Sequence, residues 1–130
     1  MEEIAKNKYY EMYVDPSKNR VYYTYKGFWE SPAVVPDYFE DHKRSVGRTT
    51  PGFSGIVDLK DMKTPPQDVM ELHMKVQNYS LQHGMKRSAH IIDAALVELA
   101  SGRFVKETDS KEVTRSFASR LEAEDWLDSY

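Results

Sequence analysis

Residues 52–93 carry the pattern that most restricts the fold. A short apolar run, "GFSGIVDL", leads through a charged loop to an amphipathic stretch opening at "TPPQ", and a second strand-like run, "RSAHIID", follows. Val69, Leu72, Val76 and Tyr79 recur at spacings of three and four, and Met70, Met74 and Leu81 widen the stripe. That period belongs to a helix with one buried face. Thr64 and Gln67 have the spacing of a capping box, Pro65 suits the first helical position, and Gly84 suits the stop. A strand, a helix and a strand in this order imply a right-handed crossover between parallel strands. The chain is therefore expected to build an α/β sheet covered by helices.

The flanking segments extend that unit. "YYEMYV" and "RVYYTYKGFW" are aromatic runs separated by the turn formers "DPSKN", which predicts a hairpin. Alternation places Tyr10, Met12 and Val14 on one face with Val21, Tyr23 and Tyr25, and Tyr9, Glu11, Tyr13, Tyr22 and Thr24 on the other. A helix is expected from Pro36 to Val46, with Phe39, His42 and Val46 inward and Gly47 at its end. "AALVELASG" reads as a shorter helix capped by Asp93, and "EVTRSFA" as a last strand. "SRLEAEDWL" closes the pattern with Ser119 and Glu122 as a capping box and Ala123, Trp126 and Leu127 inward. The expected order is β-β-α-β-α-β-α-β-α. This is a single domain over residues 1–130, with a mixed, mostly parallel five-stranded sheet and an N-terminal antiparallel hairpin.

Composition excludes several functions. No cysteine is present, which rules out disulfides and thiolate metal sites and suits a reducing, cytoplasmic setting. "MEEIAKNK" has no apolar core for a signal peptide, and no apolar run approaches the roughly 20 residues of a membrane helix. A net charge of −3 gives no broad attraction to nucleic acid.

With "EVTRSFASRLEAEDWL" running from a strand straight into a Trp-Leu helix, this element order resembles the STAS domain family. The likeness is to its SpoIIAA-like branch and spans roughly residues 9–127. The resemblance implies a non-catalytic switch or binding module without a cofactor. Its contact surface would be the loop after the third predicted strand. In the phosphorylatable members that loop reads Asp-Ser-Ser/Thr-Gly. Here Asp58 matches the Asp, but Leu59, Lys60 and Asp61 follow, so the phosphoswitch is not expected.

Three groups of residues are candidates. Asp58, Lys60, Asp61, Lys63 and Thr64 form the expected loop for a protein partner or an anion, where backbone N–H groups at a helix start are available. His42, Met70, Met74 and His90 would line an apolar pocket between the sheet and the long helix, which suits a small-molecule or lipid-like ligand. Tyr9, Tyr13 and Tyr22 would form a sticky face for a homodimer. The carboxylates Asp58, Asp61 and Asp68 are partly neutralised by Lys60 and Lys63, and the four histidines lack HxH or HExxH spacing, so no metal site is expected. "GFSGI" lacks the spacing of a serine nucleophile elbow, and no glycine-rich phosphate loop is present.

Overall fold

The computed structural model describes residues 1–95 and 113–130. Its strands are β1 (Glu2–Lys6), β2 (Tyr10–Asp15), β3 (Arg20–Tyr25), β4 (Ser54–Asp58), β5 (Arg87–Ile91) and β6 (Thr114–Phe117). They lie side by side in that order in one mixed sheet. The β1–β2 and β2–β3 pairs are antiparallel, and the remaining three pairs are parallel. The helices are α1 (Tyr38–Val46), α2 (Gln67–Gln82) and α3 (Arg120–Asp128). The helix expected at residues 94–102 falls largely outside the described residues.

The sheet has six strands where five were expected, because β1 does not alternate. A bulge between Glu3 and Ala5 lets both Ile4 and Ala5 pack on the core, while Glu2 reaches Arg48. A charged, bulged strand is a usual sheet edge, and its pattern reads as an unstructured tail. The hairpin pairs as alternation predicts, with Tyr13 opposite Tyr22 and Met12 opposite Tyr23.

Two cores cover the two faces. Tyr10, Met12, Val14, Val21, Tyr23 and Tyr25 meet Trp29, Tyr38, Val46, Val69 and Val76 on the face of α1 and α2. Tyr22, Ile56, Ala89 and Ile91 meet Ala123 and Leu127 of α3 on the other. The α3 helix begins as predicted: Ser119 Oγ accepts from the Glu122 N–H at 3.3 Å and donates to Glu122 Oε1 at 3.1 Å. Arg20, almost wholly buried, fastens this helix to the hairpin through Glu124 at 2.6 Å and Asp128 at 3.0 Å. Gly84 ends α2 with φ at +96°, and a Cβ there would stand 2.8 Å from Pro51 Cα. Both facts demand glycine.

Candidate functional site

The loop after β4 does not lead directly into α2. The Gly27 N–H donates to Asp61 O at 2.9 Å and the Lys63 N–H donates to Gly27 O at 3.0 Å, so this stretch runs beside the turn after β3. Pro65 then precedes Pro66, and a residue before proline is driven out of helical backbone. Pro65 is thus kept out of the helix, Pro66 stands as an extended N-cap at φ −69° and ψ 169°, and the helix starts at Gln67. The expected capping box from Thr64 to Gln67 does not form, and Thr64 is exposed. The helix start expected at Pro36 is likewise displaced, to Tyr38, behind a short 3-10 turn at Pro32–Val34.

This detour bounds a pocket of about 460 Å³ between the sheet and α2. Tyr23, Tyr25, Val57, Ser88 and His90 supply its floor, and Met70, His73, Met74 and Ser80 its helical side. Tyr38 and His42 come from α1, and Met62, Lys63 and Thr64 from the loop. Its volume lies within the roughly 300–1,000 Å³ of small-molecule sites. Its lining includes Val57, Leu59 and His90 near the carboxyl ends of β4 and β5, where open α/β sheets usually bind ligands.

Every titratable group deep in the pocket is neutral near pH 7. Burial pushes His42 down to about 3, and His73 and His90 down to about 4. The same desolvation raises the Tyr23, Tyr25 and Tyr38 hydroxyls. The Tyr38 hydroxyl donates to Tyr25 Oη at 2.7 Å. Its one proton is thus used, so His73 Nδ1, at 3.0 Å, donates to Tyr38 Oη and His73 Nε2 is a bare acceptor. His42 Nε2 lies 2.6 Å from Ser80 Oγ. Among the described residues, His42 Nδ1 and His73 Nε2 are buried with no hydrogen-bond partner. His90 makes no hydrogen bond through its ring among the described residues, and it keeps accessible surface on the pocket side.

The structure brings His42, Met70, Met74 and His90 together on this one pocket. Met70 and Met74 sit at its rim and remain exposed, while His42 is buried. Lys63 and Thr64 also line it, whereas Asp58, Lys60 and Asp61 do not. Asp58 Oδ1 instead accepts the Lys60 N–H at 3.1 Å and shapes the loop.

The three tyrosines do not share a face. Tyr9 lies before β2 and packs edge-on against Trp29 at 6.3 Å, on the side of α1. Tyr22 is buried under α3 and donates to Glu124 Oε1 at 2.9 Å, and Tyr13 packs partly into the same core. Alternation assigned Tyr22 its correct side, but α3 covers that side.

Sequence reasoning passed over His73, Ser80, Met62, Met85 and the pocket tyrosines. His73 and Ser80 fall on the inward stripe of α2 with Val69 and Val76. Polar residues on such a stripe were the available signal. Among the described residues, no group of three or more His, Asp, Glu or Cys is placed to hold a metal ion, and no helix is long and apolar enough to cross a membrane.

An uncharacterised protein of the DUF3478 family with a SpoIIAA-like fold, from Shewanella loihica PV-4, is similar in structure. The TM-score is 0.62 at 18% identity, over 95% of this chain and 98% of that one. At that identity the likeness establishes the fold, which is SpoIIAA-like. No protein-family model and no curated protein matches the chain.

Proposed function

We propose that this chain is a non-catalytic, SpoIIAA-like binding module that takes up one small, largely apolar molecule between its sheet and α2. The observation that supports the reading is the 460 Å³ pocket, whose lining is mainly aromatic and aliphatic, with the His90 imidazole on its floor and unpartnered among the described residues. A few polar groups in an apolar cleft are the usual make-up of a ligand site. The Ser80–His42 pair does not argue for hydrolysis. Burial holds His42 near 3, far below the operating range of a general base, and its Nδ1 has no orienting partner among the described residues.

Titration with the neutral fluorophore N-phenylnaphthylamine tests this reading. One saturable site is expected in the natural chain, and its loss in a folded Ser88→Leu variant, whose added bulk fills the floor. Absence of saturable binding to the natural chain would refute the reading.

A second reading, a protein-interaction module, draws support from the exposed Lys60, Asp61, Lys63 and Thr64 on one loop. Two of these also border the pocket, so a ligand would touch the surface offered to a partner. A second copy of the chain is the simplest such partner. A mass by light scattering that stays monomeric at high concentration, in the presence and absence of the fluorophore, would exclude it.

A further inference from the structure

We propose that the molecule held in this pocket is a monoanionic amphiphile, a carboxylate on a flexible apolar chain, with its head at Lys63 and its tail directed toward His90. The inference rests on reading the pocket as a ligand site. The inventory of charge supports it first. The chain has 21 Asp and Glu residues, yet among the described residues none of them borders the pocket, and Lys63 is the one Lys or Arg that does. A cationic ligand would find no opposite charge among the described lining residues.

Several cations of the fold are held by carboxylates, and Lys63, like Lys60 and Lys75, is not among them. Lys18, Arg20, Lys26, Lys43, Arg44 and Arg48 each pair with a carboxylate, whereas Lys63 is exposed and makes no ion pair among the described residues. Thr64, next in the chain, is also exposed and borders the pocket, so a head group there would keep part of its hydration.

The interior dictates which end goes in. Its polar groups are neutral imidazoles and hydroxyls, and burying an ionised carboxylate among them without a paired cation is strongly unfavourable. The charge therefore stays at the rim. A single ammonium matches a single negative charge, while a phosphate monoester at about −1.5 to −2 would be left partly unpaired. Four of the chain's six methionines, Met62, Met70, Met74 and Met85, border the pocket. Unbranched thioether side chains adapt to a flexible chain better than a rigid wall does.

Calorimetric titration of the full chain with decanoate, decanol and decyltrimethylammonium, each below its micelle concentration, tests the assignment. Decanoate is expected to bind about three- to fivefold tighter than decanol, the range of an exposed ion pair, and decyltrimethylammonium the least. Lys63→Gln should remove that advantage, as should high salt. If decanol binds as tightly as decanoate, or if Lys63→Gln leaves the advantage intact, the anionic head is refuted while the pocket reading stands. If none of the three binds, the pocket reading falls and this inference falls with it.

Discussion

Acidification from pH 7 to pH 5 should destabilise this protein well before its carboxylates titrate. His42, His73 and His90 have an ordinary value of 6.5 but folded values of about 3, 4 and 4, each lowered by burial. Below 6.5 the unfolded chain therefore holds more protons than the folded one. The stability tied to these groups is complete above about pH 6.5 and is lost as the pH falls toward 4. At pH 5 each fully desolvated histidine costs roughly 2 kcal/mol by this linkage. His42, almost wholly buried, costs about 2, and His73 and His90, both partly exposed, add about 1.5 each after screening by solvent. A loss of about 5 kcal/mol compares with a total stability of roughly 5–15 kcal/mol for a domain. The carboxylates whose values are lowered in the fold, Glu2, Glu11, Asp15 and Asp128, start from 4.5 or 3.8 and act chiefly below this interval. Urea denaturation followed by the emission of the buried Trp29 gives the stability at both pH values. His90→Leu should shrink the pH-dependent loss by about 1.5 kcal/mol. Equal stability at pH 7 and pH 5 would refute the account of three neutral, dehydrated imidazoles.

Two further substitutions test how the frame around the pocket is held. Arg20→Ala should lower stability by about 2 kcal/mol, since it removes charge-assisted bonds to Glu124 and Asp128 from a buried guanidinium but leaves the carboxylates partly in water. An unchanged thermal midpoint would mean that α3 is held by its apolar contacts alone. Gly84→Ala should cost about 2 kcal/mol or more, because a left-handed backbone and a 2.8 Å approach to Pro51 Cα act together. A chemical-denaturation midpoint equal to that of the natural chain would show that the turn after α2 relaxes without strain.

The legible parts of the fold were those written in a regular period. The hairpin pairing, the inward set of α2 and the Ser119 cap of α3 follow from alternation, from a 3.6-residue stripe and from a capping box. Departures from those periods hid the rest. β1 breaks alternation at its bulge, so a genuine strand looks like a charged tail. The proline pair before α2 follows a steric rule that outranks the capping signal: a residue before proline is disfavoured in helical backbone, the helix starts at Gln67, and Thr64 is left outside it. Tyr22 illustrates a third limit. Alternation gives its side of the sheet, but whether that side meets water depends on where α3 returns, and that is a tertiary choice.

The pocket was half legible for a related reason. Histidine at position 90 on an inner strand and methionines at 70 and 74 on a helix mark places where an ordinary core would carry branched aliphatics. A cavity, however, is a difference between the space that elements enclose and the side chains that fill it, and no local pattern encodes that difference. Its cause here can be traced. The 61–63 stretch is tied to Gly27, and the two prolines delay α2 to Gln67. The helix then presents His73 and Ser80 on its inward side. Both use one polar atom on a neighbour from α1, His73 on Tyr38 and Ser80 on His42. Those bonds hold α2 to α1, while Ser88 on the opposing strand is too short to fill the space in between. Close packing would need large aliphatic groups at 73, 80 and 88. The chain instead places two hydroxyls and an imidazole there, and ties Ser80 and His73 Nδ1 sideways to α1 rather than filling the space between.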